Sequence, residues 1–218
     1  MLNWAQIDLV FLDMDGTLLD LHFDNHFWLS YVPLCYAKKH DITRTQATQH
    51  LANLYEKVEG TMQWYCLDYW SNQLGLDIPA LKREIEHLIR VHPHVIAFLN
   101  QLRQTGKRIV LLTNAHAKSL SLKMDKTQLR GHFDRLITSH DLGSPKEQDD
   151  FWQKLQNTES FNPQRTLLVD DSLSVLLSAK RYGIKHIVAV SKPDSKQPAK
   201  TVSGFLSIQS FEELKATL

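Results

Sequence analysis

Five short apolar runs constrain this chain more than any other feature: 9–12, 108–112, 136–137 within 134–139, 166–169 and 187–190. They are continuous rather than alternating with polar residues. That predicts strands covered on both faces, as in a parallel sheet. Helical spacing fills the gaps. Val95, Phe98, Leu99 and Leu102 recur at one helix face before Gly106. Leu173, Leu176, Leu177 and Lys180 do the same, with Ser172 as an N-cap and Gly183 as a terminator. Strands alternating with helices imply right-handed crossovers and an α/β, doubly wound parallel sheet. At 218 residues, the chain can bury roughly 70% of its unfolded surface without a disulfide or zinc staple.

Residues 21–91 break the rhythm. They read as helix after helix with no strand, crowded with aromatics from Phe23 to Trp70. The expected organisation is a core of residues 1–20 and 92–218, with an all-helical subdomain, 21–91, inserted after the first strand. Pro33, Gly60, the turn at 75–79 and Pro93 are the expected breaks. Residues 191–201, rich in Lys, Ser and Pro, read as a loop. A short strand or turn and a last helix follow at 205–214.

Charge and cysteine usage exclude several classes. Lys plus Arg number 25 and Asp plus Glu 24, a net charge of +1. Such a balance gives no general attraction to nucleic acid or an acidic membrane. The 11 His form no spacing characteristic of a metal motif. Cys35 and Cys66 form neither a CxxC pair nor a disulfide framework, and read as buried free thiols in a reducing compartment. Residues 1–12 carry Asp8 and no basic segment before an apolar run, unlike a signal peptide. No apolar stretch of about 20 residues exists to span a bilayer. The expectation is a soluble cytoplasmic protein.

Chemistry is concentrated where the strands end. Asp13-Met14-Asp15-Gly16-Thr17 follows the first run directly, and ligands of open α/β sheets collect at the carboxyl ends of strands. Two carboxylates at this spacing can face one pocket, one as nucleophile and the other as general acid and base. They can also hold a hard cation through oxygen. Gly16 permits a tight turn that brings backbone amides near a phosphate. Thr113-Asn114 ends the second run, where a hydroxyl and amides bind phosphoryl oxygens or simply cap the strand. Lys146, after Ser144-Pro145, brings a cation to a phosphate or is solvated. Asp170-Asp171-Ser172 ends the fourth run, as a cation site or as a helix cap.

Taken together, Asp13-x-Asp15-Gly16-Thr17, Thr113-Asn114, Lys146 and Asp170-Asp171 resemble the haloacid dehalogenase-like hydrolase superfamily, over residues 13–171. The resemblance implies a Rossmann-like core, an insert corresponding to that family's first type of cap, and a Mg²⁺-dependent phosphohydrolase. It implies that Asp13 attacks phosphorus to form an aspartyl-phosphate, while Asp15 protonates the leaving alkoxide and then activates water. Mg²⁺ would be held by Asp13, the Asp15 backbone carbonyl and Asp171, with Asp170 in support. Mn²⁺ suits the same oxygen ligands. Thr17, Thr113, Asn114 and Lys146 would surround the phosphoryl group.

Specificity is expected in the insert, where Asp24, Asn25 and Trp64 are candidate substrate contacts. Trp64, Leu67 and Trp70 also stand at the spacing of ordinary core packing. The phrases LDMDGTLLDL, WYCLDYW, LLTNAH and PKE are similar to bacterial 5′-nucleotidases of this superfamily that act on GMP and IMP. That implies a purine nucleoside 5′-monophosphate as substrate. The alternatives are a phosphatase of sugar phosphates, phosphoglycolate or FMN, a phosphomutase, and a non-catalytic nucleotide-binding protein. Monomer and homodimer are both compatible with the sequence.

Overall fold

The apolar runs form six strands in the computed structural model, which describes residues 2–215 and Leu218. They are β1 (Leu9–Leu12), β2 (Arg108–Thr113), β3 (Arg135–Thr138), β4 (Thr166–Asp170), β5 (His186–Val190) and β6 (Leu206–Ile208). Every neighbouring pair is parallel. The order is β3-β2-β1-β4-β5-β6, so the winding reverses at β1. In such a sheet the reversal opens a crevice beyond the strand ends on either side of it. Asp13 leaves β1 with its N–H on the Val169 carbonyl, 3.1 Å away. The chain therefore delivers Asp13, Thr113 and Asp170 to one edge of the sheet.

Both faces of the sheet are covered, as the continuous runs require. Val10, Leu12, Ile109 and Leu111 pack on one side with Phe98, Leu99 and Leu102. Leu9, Phe11, Val110 and Leu112 pack on the other with Trp152, Leu155 and Phe161. Trp152 is wholly buried and satisfies its indole N–H on Ser178 Oγ at 2.8 Å, which a buried Trp requires.

All elements between His22 and Leu88 are helical. The chain leaves the sheet and returns to it side by side. Asp20 N–H donates to Arg90 O and His92 N–H to Leu18 O, each at 2.9 Å. Phe23, Phe27, Leu51, Trp70 and Ile78 of the insert are continuous with the apolar layer on the Val10 and Leu12 face of the sheet. Among the described residues, no helix is long and apolar enough to cross a membrane.

Four local expectations are corrected. Pro33 does not break the chain: His22–His26 runs through a π-turn, Phe27–Tyr31, into Val32–His40. Val32 N–H reaches back to Phe27 O. Proline lacks an N–H and crowds the carbonyl four residues back, and the wider turn just before it opens the ladder there. Ser172 precedes the helix Leu173–Tyr182 but makes no side-chain cap; its hydroxyl pairs with Ser174 Oγ. Leu173 and Leu177 point to solvent, and Val175, Leu176 and Ala179 are the buried positions. Both cysteines are free but only half-buried.

Phe98 is fully buried against Trp4 and Phe211, whereas Leu173 is 51% exposed. Phe98→Ala should lower unfolding free energy by about 3–5 kcal/mol, and Leu173→Ala by less than about 0.5. Denaturant unfolding of both variants checks the contrast.

Candidate active site

The floor of the crevice is built around one buried ammonium. Lys146 Nζ donates to Asp13 Oδ1 at 2.5 Å, to Asp170 Oδ2 at 2.7 Å and to the Leu112 carbonyl at 3.1 Å. Burial alone depresses a lysine, but Asp13 and Asp170 outweigh it and hold Lys146 above its ordinary value. Asp171 joins Asp13 and Asp170, and oxygens from the three lie within 4.8 Å of one another. Three carboxylates thus face a single cation. Burial, then Asp170, pushes Asp13 up to about 6, against the pull of Lys146. Burial, Asp13 and Asp170 raise Asp171 well above the usual range.

These residues fit a hard divalent cation. Asp13 Oδ2 is buried with no hydrogen-bond partner, and the donor set is entirely oxygen. Gly16, at φ +86°, lets the chain pass close to this cluster. A Cβ there would stand 2.6 Å from the Asp171 carboxylate.

Asp15 faces a different environment. Its side chain turns from the three-carboxylate cluster to Lys123 Nζ, 2.6 Å away. Lys123 also donates to Asp24 Oδ2 at 2.6 Å, and Lys82 to Asp24 Oδ1 at 2.7 Å. Both lysines are buried. Asp24 and Lys82 belong to the insert, Asp15 and Lys123 to the sheet side, so the row of four charges crosses between them. Burial pushes Asp15 up to about 6, aided by Asp24 and opposed by Lys123. Burial also acts to raise Asp24, but Lys123 and Lys82 prevail and bring it down to about 2.

A cavity of about 300 Å³ lies above these groups, within the size range of small-molecule sites. Asp13, Asp15, Thr113 and Lys146 line its floor, with Trp28, Tyr55 and Trp64 among its aromatic walls. Leu67 and Trp70 are buried, whereas Trp64 is half-buried. Asn25 also lines the cavity, its amide donating to Asp194 Oδ2 at 2.8 Å.

Two candidates have mainly internal partners. Asn114 Oδ1 accepts the Lys146 N–H at 2.9 Å, and its Nδ2 donates to Glu147 Oε2 at 2.8 Å. That side chain fixes the lysine loop. Thr113 Oγ1 accepts the Ala115 N–H at 3.0 Å. Thr17 is fully buried, its hydroxyl without a partner, and it lines a second cavity with His92, Lys192 and Ser195 rather than the main one.

Sequence reasoning missed Lys82, Lys123, Tyr65 and Glu147. Tyr65 in the insert donates to Glu147 Oε1 at 2.8 Å. Lys123 lies in the helix Ala117–Thr127 with no motif around it, so only the fold brings it to Asp15. Asp171 does not cap its helix, and Asp170 Oδ1 instead accepts the Ser172 N–H at 2.9 Å.

Comparison with known proteins places the chain in a family and a fold. The model of the haloacid dehalogenase-like hydrolases matches residues 7–183. GMP/IMP nucleotidase YrfG of Escherichia coli strain K12 is 40% identical over 215 residues, 99% of this chain and 97% of the relative. The crystal structure of a HAD phosphatase from Thermococcus onnurineus superposes with TM-score 0.80 at 22% identity, covering 97% of each chain. CbbY of Rhodobacter sphaeroides in complex with phosphate superposes at 0.67 and 13% identity, covering 95% of this chain and 96% of the other. With the family model covering most of its length and a relative 40% identical over 99% of it, the chain belongs to the haloacid dehalogenase-like hydrolase family.

Proposed function

We propose that this protein is a Mg²⁺-dependent 5′-nucleotidase that hydrolyses purine nucleoside 5′-monophosphates, GMP and IMP, through an aspartyl-phosphate on Asp13. The observation that carries the reaction is the separation of two carboxylates on one strand end. Asp13 lies with Lys146 among acids, and Asp15 with Lys123 and Asp24. A displacement in two steps needs this division, one group to attack and another to move protons. The choice of substrate is supported by the 40% identity to an enzyme named for GMP and IMP, and by aromatic walls suited to stacking a base.

Asp13 attacks phosphorus with one carboxylate oxygen as the ester bond opens on the opposite side. Asp15, near pKa 6, gives its proton to the departing 5′ oxygen. It then takes a proton from the water that hydrolyses the aspartyl-phosphate. Lys146 and the Thr113 hydroxyl stabilise the phosphoryl oxygens, and Asn114 holds the Lys146 loop in place. Asp13, Asp170, Asp171 and the Asp15 carbonyl would hold Mg²⁺, with Mn²⁺ suiting the same donors. When bound, the cation neutralises charge on the transferring group and on its acidic ligands. The helical insert acts as the cap, closing the cavity and excluding water.

Two outcomes test this reading. Across a panel of phosphate esters with Mg²⁺, kcat/KM for IMP and GMP should exceed that for sugar phosphates by at least about tenfold. Equal values would remove the nucleotide assignment and leave the phosphatase. Asp13→Asn should lower kcat by about a thousandfold or more while nucleotide binding persists; full turnover would exclude Asp13 as nucleophile.

Lys123→Met should destabilise the protein by about 3–5 kcal/mol near pH 8, because it strands buried carboxylates. A carboxyl whose folded pKa lies above its unfolded value costs stability at higher pH and is relieved as pH falls. Removing Lys123 raises Asp15 further above the ordinary 3.8. The deficit should therefore shrink between pH 8 and pH 5, which denaturant unfolding at each pH measures.

A further inference from the structure

A second group of ligand-type side chains lies beside the cavity and has no part in the proposed reaction. Cys66 stands between the helices Met62–Tyr65 and Leu67–Leu74, its Sγ accepting the Tyr69 N–H at 3.4 Å. His116 precedes the helix Ala117–Thr127 after β2, and His140 lies in Ser139–Leu142 after β3. The thiol sulfur and one nitrogen from each imidazole lie within 4.8 Å of one another, at half-buried positions. The two rings meet edge to face with centroids 4.9 Å apart. Both nitrogens of His140 are buried without a hydrogen-bond partner. Such groups are costly unless a partner satisfies them.

We propose that Cys66, His116 and His140 form a site for a borderline divalent transition ion, Zn²⁺ above all, that ties the helical insert to the sheet core. One thiolate and two imidazoles are the donors this ion prefers, and they are poor ligands for Mg²⁺. A tetrahedral zinc would hold such atoms about 3.5 Å apart. Side-chain adjustments of the order of 1 Å close the observed cluster to that spacing. Burial holds both imidazoles below their ordinary pKa, which favours the neutral form that binds metal. His116 Nδ1 accepts the Lys118 N–H at 3.3 Å, and Nε2 stands 3.7 Å from Asp68 Oδ2; an ion taking Nδ1 would displace that N–H and leave Asp68 to support the Nε2 proton. The site is separate from the all-oxygen set of Asp13, Asp170 and Asp171, and it does not depend on the reaction assigned there. His116 also lines the main cavity, so the ion would stand in the cavity wall.

Co²⁺ is the spectroscopic probe. The purified full chain, stripped with chelator and held in excess Mg²⁺, is titrated with Co²⁺. One equivalent should produce thiolate-to-cobalt charge-transfer absorption and the intense visible bands of a four-coordinate ion, and Zn²⁺ should displace it. The chain has two cysteines, so Cys35→Ser should retain the charge-transfer band and Cys66→Ser should lose it. His140→Gln should weaken Co²⁺ binding by at least about tenfold. Absence of the band in the natural chain, or its persistence in Cys66→Ser, would overturn the site. A measurement independent of variant folding uses the natural chain alone. Stoichiometric Zn²⁺ should shield Cys66 but not Cys35 from alkylation, read by peptide mass, and unchanged labelling of Cys66 would also overturn it.

Discussion

The site depends on the bonds of Lys146 to Asp13 and Asp170 beneath the cavity. Asp13 follows β1 and Asp170 ends the adjacent β4, and the two would repel each other in a dry crevice. A single ammonium placed between them offsets that repulsion, but only in part, because Asp171 adds a third acid. The remaining negative charge is what a divalent cation would neutralise. The lysine can enter this position because Asn114 grips its backbone N–H from the end of β2. Three strand ends and the lysine loop thus form one electrostatic unit, and the parallel register of β1, β2 and β4 holds it together.

A second buried lysine serves the other carboxylate. Lys123 binds Asp15 and Asp24 at equal distance, and Lys82 holds the far oxygen of Asp24. Alternating charges make each member the counterion of its neighbours, so removing one leaves a buried ion without compensation. Because the row crosses from the insert to the sheet side, the position of the insert influences the proton affinity of Asp15. Drawing Asp24 and Lys82 away would change the charge around Asp15 and wet its surroundings. In the proposed reaction, proton transfer is thereby linked to closure of the cavity by electrostatics as well as by exclusion of water.

The strand ends were legible because their information is local. An apolar run that stops at Asp13 or Asp170 states both the strand and its acidic end, and three such runs aligned in parallel bring those ends together. The helical character of the insert was legible from spacing and aromatics. Lys123 was not, because within AKSLSLKMDKT it looks like any solvated helix lysine. Its burial depends on an insert helix packed across it. Leu173 and Leu177 misled for the opposite reason: helical spacing reports a stripe, but not which face of the helix meets the sheet. Thr17 belongs to the same motif as Asp13, yet the turn at Gly16 sends its side chain toward another cavity. Cys66, His116 and His140 follow no common spacing, since each comes from a different element.

The cavity itself divides along the same line between local and long-range information. Its floor comes from strand ends and carries Asp13, Lys146, Asp170 and Asp171, suited to a phosphoryl group whatever it is attached to. Its walls come largely from the insert, where Trp28, Tyr55 and Trp64 offer apolar faces, while Tyr65 reaches down to Glu147. Flat apolar faces favour a flat, weakly hydrated group over a sugar, whose hydroxyls would lose water without gaining partners. Under the proposed function, discrimination among phosphate esters falls to residues with no role in bond breaking. In that proposal the floor of Asp13, Lys146 and Asp170 serves the reaction class, and the aromatic walls carry the argument for a purine.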